Sequence, residues 1–243
     1  MNKIGIIGHG SFGKFAATVL APHGDIFVYD KTHPAQITHG KIITFDALAD
    51  MDCILLAIPL DAYESTLRQL RPILRAETLV VDICSVKVRS RDIVRAELVE
   101  HPNMLICHPL FGPQSAADGV SGHQLIVTNV IGDNAKQAVQ FCEDTLGLKT
   151  IHMSAEEHDL AMAQMHVLTF FVARGLRNLA LADMPFEIPS FRLVRQLIDF
   201  DQSQSDELFT TIQQGNPYGE KVRHDLVQTF SKLEQSLKRS VSL

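Results

Sequence analysis

His108 stands between the short apolar run NMLIC (103–107) and a loop built from Pro109, Leu110, Phe111, Gly112 and Pro113. Two prolines and a glycine stop a strand and shape a tight loop, so the chain holds one imidazole where strand gives way to turn. A neutral imidazole accepts a proton near pH 7. A histidine at a strand end can equally be a packing residue, and the segment alone leaves both readings open. Upstream, DICSVK places Asp82, Ser85 and Lys87 after another apolar run. The Ser85 hydroxyl can hydrogen-bond both a substrate oxygen and a ring nitrogen. Lys87 opens the following helix, where it meets an anionic substrate or stands as a solvated charge.

A second cluster binds rather than reacts. GHGSFG sets Gly8, Gly10 and Gly13 in G-x-G-x-x-G spacing after an apolar run, with Ser11 and Phe12 opening a helical pattern. In that context the first glycine permits a turn and the second lets the backbone approach a pyrophosphate. The third lets helix and strand pack closely, and the helix N-terminus faces the anion. The next apolar run ends in Asp30, 22 residues after Gly8. Its carboxylate can accept from ribose hydroxyls and repels a 2′-phosphate, which favours NAD over NADP. Lys31 and Thr32 are its neighbours. Pro59, closing a third apolar run, marks a loop able to lie along the cofactor or merely to end the strand.

The elements that must position these groups follow from periodicity. Residues 3–8, 25–30, 52–58, 78–83, 103–107, 123–128 and 148–153 read as strands, continuous apolar runs of the kind found in sheets covered on both faces. Residues 11–21, 60–71, 87–99 and 134–146 read as the helices between them, so the first half is an α/β, Rossmann-type, doubly wound, mostly parallel sheet. Ligands in such sheets lie beyond the carboxyl ends of the strands, which brings Ser85 and His108 to the nicotinamide side. There a hydride can leave a carbinol carbon only as the hydroxyl proton is removed. From Ser154, with Glu157 three residues later forming a capping box, the pattern is helical to about Asp183. It resumes over 190–200, 205–214 and 219–239, after a turn at Asn216 to Gly219. The expected domains are therefore 1–153, dinucleotide-binding, and 154–243, an all-α substrate and dimerisation domain whose apolar positions point to a homodimer.

Composition excludes several classes. With 46% hydrophobic and 21% charged residues and a net charge of −6 over 243 residues, there is no basic patch for nucleic acid and no apolar run of the ~20 residues that span a bilayer. The N-terminus starts a strand at once and lacks an apolar stretch followed by a cleavage site. Cys53, Cys84, Cys107 and Cys142 are scattered without C-x-x-C spacing and read as reduced thiols. A cytoplasmic protein with a small-molecule substrate and no metal is expected.

GHGSFG, VVDICSVK, HPLFGPQS and EEHD, in that order along nearly the whole chain, resemble the prephenate/arogenate dehydrogenases of tyrosine biosynthesis. The pairing of D-x-x-S-V-K with H-P-[ML]-F-G-P about 25 residues later is the specific part. The resemblance implies a Rossmann domain followed by a helical dimerisation domain, and NAD-dependent oxidative decarboxylation of a cyclohexadienyl acid. It makes His108 the base for the ring hydroxyl and Ser85 its orienting partner.

The substrate side departs from the pattern. Arg192 and Arg195 can supply guanidinium groups for substrate carboxylates, but a second arginine of the family falls at Phe200. A Gln and a His four residues apart become His166 and Phe170. Gln114 replaces an acidic residue that tunes specificity. The chain is shorter than typical members, and neither a regulatory domain nor a chorismate mutase-like segment is recognisable, so feedback through an appended domain is not expected. The competing expectations are another two-domain dehydrogenase, of the β-hydroxyacid or pyrroline-carboxylate reductase kind, and a non-catalytic NAD-binding dimer with a decayed substrate site.

Overall fold

Alternating apolar residues of the central strands feed two separate cores. Ile4, Ile6, Cys53 and Leu55 enter one, and Ile7, Ile54, Leu56 and Val80 the other. This is what period-two side chains produce when both faces of a sheet are covered, and each fully buried aliphatic side chain contributes roughly 1.5–3 kcal/mol. The computed structural model describes residues 2–32, 36–182 and 184–240. The chain divides into two units, Met1–His158 and Asp159–Leu243.

The first unit contains strands β1 (Lys3–Ile7), β2 (Asp25–Tyr29), β3 (Lys41–Ile42), β4 (Cys53–Leu56), β5 (Leu79–Asp82), β6 (Met104–Pro109), β7 (Gln124–Ile131) and β8 (Lys149–His152). They form one sheet in the order β3-β2-β1-β4-β5-β6-β7-β8. All pairings are parallel except β6 with β7. Helices α1 (Ser11–Leu20), α2 (Tyr63–Leu70), α3 (Lys87–Glu97) and α4 (Asp133–Asp144) connect them. Chain order reverses at β1, between β2 and β4, which makes the crevice beyond their carboxyl ends the topological switch point.

Three expectations are corrected here. β3 is too short to show in the sequence pattern and forms by pairing with β2. β7 runs on to Ile131, against an expected end at residue 128, because β6 offers it a partner as far as Met104. β6 does not stop at Cys107. His108 pairs with Ile126 and Pro109 with Leu125, so His108 sits within the last paired stretch of the strand rather than at its junction with the loop. The register shifts between Ile106 and Cys107, opposite Asn129 and Val127, leaving Thr128 as the extra residue. A bulge of this kind re-aims the side chains beyond it.

Helix α5 (Ala155–Met162) opens with the expected capping box. Glu157 N–H donates to Ser154 Oγ at 3.1 Å, and Ser154 N–H donates back to Glu157 Oε2 at 2.8 Å. The second unit continues through one π-helical turn (Ala163–Val167), α6 (Leu168–Asn178), α7 (Phe191–Gln202), α8 (Asp206–Gly215) and α9 (Gly219–Ser240). α6 ends at Asn178, with Ala180 turned into the left-handed region (φ 46°), so the helix stops short of the expected end at about Asp183, itself outside the described residues. Val167, Phe170 and Ile212 form this unit's core, with Phe200, Leu208 and Phe209 against them. The buried Asp201 carboxylate is held by Arg174 and Arg177 at 2.8 and 2.9 Å.

Candidate active site

The glycine loop has the shape its spacing demands. Gly8 has φ +104°, and a Cβ there would lie 2.2 Å from the carbonyl oxygen of Ala57. A Cβ on Gly13 would lie 2.1 Å from Gly8 O, so strand and helix approach each other through bare backbone. Gly10 differs, since a Cβ there meets nothing within 4 Å. It is the N-cap of α1 and offers no side-chain cap. The helix N-terminus thus lacks a side-chain cap, and the backbone at Gly10 faces open space, which suits the approach of a diphosphate. Asp30, at the end of β2, accepts from His9 N–H at 2.7 Å and from the Thr32 N–H and hydroxyl at 2.8 and 2.6 Å. Partial burial pushes this carboxyl up, but the Thr32 and His9 bonds outweigh it and hold it below the usual carboxylate range. Pro59, exposed, follows β4 and begins a short 3-10 turn.

Beyond β5, Asp82 is a fully buried hub. Oδ1 accepts from Tyr63 Oη at 2.7 Å and Cys84 N–H at 2.8 Å, and Oδ2 from Lys87 Nζ at 2.8 Å and Ser90 Oγ at 2.6 Å. Burial beside this carboxylate pushes the Tyr63 phenol well above its ordinary pKa. Lys87 is fully buried, and Nζ also donates to Cys107 O at 2.6 Å. This corrects the expectation of a substrate-facing or solvated lysine. Its ammonium ties the end of β5 to β6 one residue before His108, where a bound anion or water would otherwise satisfy it. Ser85 lies half-buried in the loop between β5 and α3.

His108 is 5% exposed and His158 is fully buried. His108 Nδ1 and His158 Nε2 are 2.8 Å apart, with the rings nearly perpendicular at 76° and centroids 5.0 Å apart. The bond at Nδ1 therefore comes from a residue 50 positions away, not from Ser85. The loop after β6 is anchored by Phe111, whose ring lies 6.2 Å from Phe15 of α1 and 5.2 Å from His123. Gln114, exposed, sits in the turns that follow. Because β1, β4, β5 and β6 are parallel, the glycine loop, Pro59, Ser85 and His108 all lie at one edge of the sheet.

Residues 28–148 match the family model described as prephenate dehydrogenase, nucleotide-binding domain. The chain is 29% identical over 251 aligned positions to the chloroplastic arogenate dehydrogenase 2 of Arabidopsis thaliana, covering 97% of this chain and 70% of that protein. It is 26% identical to arogenate dehydrogenase 1 of the same plant, of which it spans 36%. Prephenate dehydrogenase from Aquifex aeolicus, solved with hydroxyphenyl propionate and NAD+, shares the fold with a TM-score of 0.76 at 19% identity, over 100% of this chain and 92% of that one. The chain belongs to the prephenate/arogenate dehydrogenase family. It is accordingly a nicotinamide-dependent dehydrogenase.

In this dehydrogenase the remaining expected site residues belong to the second unit. His166 lies on the π-helical turn, a helix irregularity frequent at functional sites, with its ring 4.8 Å from that of Phe170. Phe170 in turn meets Phe200 edge-on at 4.9 Å. Phe170 and Phe200 are thus in direct contact and form one apolar pair. Arg192 and Arg195, 70% and 51% exposed, both reach Glu187, at 3.5 and 3.0 Å.

Sequence reading missed His158 as a partner of His108. EEHD contains His158, directly after the capping-box glutamate, but nothing in that motif points to His108. The coordinating role of Asp82 was also missed, although DICSVK contains it. Among the described residues no cluster of histidine, cysteine and carboxylate groups could hold a metal ion, and no helix is long and apolar enough to cross a membrane. Burial pushes the Cys53 thiol up to about 12, leaving it inert.

Proposed function

We propose that the chain carries out NAD-dependent oxidative decarboxylation of a cyclohexadienyl acid, prephenate or arogenate. The observation that carries this is a buried histidine, its Nδ1 already engaged at 2.8 Å, at the same sheet edge as an uncapped helix N-terminus fronted by Gly10. When bound, the nicotinamide supplies a hydride acceptor. His108 Nε2 takes the proton of the ring hydroxyl as the carbon–hydrogen bond breaks and a carbonyl forms. The bond to the ring carboxylate then breaks, carbon dioxide leaves, and the electron pair aromatises the ring. The phenolate oxygen recovers a proton, which His108 can return. Ser85, half-buried in the adjacent loop, orients the substrate hydroxyl. Gln114, in the turns that follow β6, bears on the choice between prephenate and arogenate. Asp30, held ionised, favours NAD over NADP.

A cytoplasmic homodimer is part of the same reading. Val227, Phe230, Leu233 and Leu237 on α9, each 53–60% exposed, recur at three- and four-residue intervals and supply the self-association face. The deciding experiment is turnover with prephenate and with arogenate, each offered NAD and NADP. Reduction of NAD with either substrate is expected, and no reduction in any of the four combinations would sink the reading.

A further inference from the structure

We propose that His158 is a positioning residue that sets the tautomer of His108. This rests on the reading that His108 accepts the substrate proton. Two neutral imidazoles joined nitrogen to nitrogen must divide the roles, one donating and one accepting. The 2.8 Å contact between His108 Nδ1 and His158 Nε2 therefore allows two arrangements. In one, His108 carries its proton on Nδ1 and donates it to His158, leaving Nε2 unprotonated and able to take a proton. In the other, His158 donates to His108, whose own proton is then on Nε2 and whose capacity as a base is gone. Only the first is competent, and His158 Nε2, as acceptor, selects it.

His158 is well placed to hold that role. It is fully buried, and its backbone N–H donates to Ser154 O at 3.0 Å, so the capping box that starts α5 also fixes its position. From the other side, the Lys87 bond to Cys107 O and the pairing of His108 with Ile126 of β7, just past the bulge at Thr128, fix the strand that carries His108. Both partners of the bond are thus set by backbone features and not by side-chain freedom alone. As an acceptor without charge, His158 orients the ring, and once His108 is protonated it shares the positive charge through the same hydrogen bond. In other histidine bases an acidic side chain does this orienting, and losing the correct tautomer there lowers turnover severely.

The test combines nitrogen NMR of imidazole-labelled protein with steady-state kinetics on the wild type, His158→Leu, His158→Gln and His108→Asn. In the wild type, His108 is expected with its proton on Nδ1. His158→Leu should move that proton toward Nε2 and lower kcat on the order of 100-fold, with KM and NAD affinity within about twofold. His158→Gln, whose amide oxygen can accept the same bond, should restore the Nδ1–H form and most of kcat. Wild-type kcat in His158→Leu, or a wild-type His108 protonated on Nε2, would overturn the proposal. So would equal losses in the Leu and Gln variants with an unchanged tautomer. If His158→Leu does not fold, the wild-type tautomer and the Gln variant decide. Retained turnover in His108→Asn would instead overturn the proton-acceptor reading, and the tautomer measurement separates the two failures.

Discussion

Lys87 Nζ lies 2.6 Å from the main-chain oxygen of Cys107, the residue that precedes His108 in β6. With its bond to Asp82, this makes one ammonium the tie between two strand ends. Replacing Lys87 by Met removes the cation and leaves the Asp82 carboxylate buried beside Tyr63 and Ser90. Breaking a buried pair from one side costs about 3–5 kcal/mol. Urea denaturation of the Lys87→Met variant should show a loss of that size. A change below about 0.5 kcal/mol would mean that Lys87 is a surface charge after all.

The glycines of the loop separate into structural and cofactor positions. Gly13→Ala drives a Cβ against Gly8 O, and overpacking against backbone costs about 1–3 kcal/mol. Its melting temperature should fall along with NAD affinity. Gly10→Ala meets open space in an ordinary backbone conformation, so thermal stability should stay nearly constant while the NAD dissociation constant rises at least about tenfold by loss of close approach. Calorimetry and cofactor titration of the two variants check this, and equal effects on both properties would contradict the assignment.

Asp30 has its carboxyl held below the ordinary range, because the Thr32 and His9 hydrogen bonds outweigh partial burial. A depressed folded-state pKa means that its contribution is present above the unfolded value and is lost as pH falls through the lower one. From about pH 5 upward Asp30 stays ionised, and NAD affinity should not vary on its account. Asp30→Asn should weaken NAD about tenfold, the value of a hydrogen bond to a charged group, and narrow the preference over NADP. Unchanged NAD affinity in that variant would place the ribose elsewhere.

The stripe of Val227, Phe230, Leu233 and Leu237 on α9 is the basis for expecting a homodimer. The parent chain should give a dimer by light scattering at micromolar concentration, and changing Phe230 and Leu233 together to Glu should give a monomer. A monomeric parent chain would remove the expectation.

Much was legible in the sequence because it is local. Apolar runs of four to six residues, glycine spacing and the Ser154–Glu157 box each encode geometry within a few positions of themselves, and strands, α1 and α5 formed where those signals lay. β3 and the extra length of β6 and β7 were not legible, because a partner strand rather than the run's own pattern extended them. His108 was marked by its prolines, yet its imidazole is held by His158, whose distance along the chain carries no period or motif linking the two.

By itself, then, the sequence determined the alternation of strand and helix, the dinucleotide loop, the acidic end of β2 and the presence of an imidazole beside them. The tertiary structure alone decided that Lys87 is an internal brace, that Asp82 is satisfied by four donors, and that two histidines share one hydrogen bond. The reason is physical. Local signals fix backbone conformation through sterics and turn chemistry, whereas a buried polar side chain takes whichever partner the packed chain brings within about 3 Å.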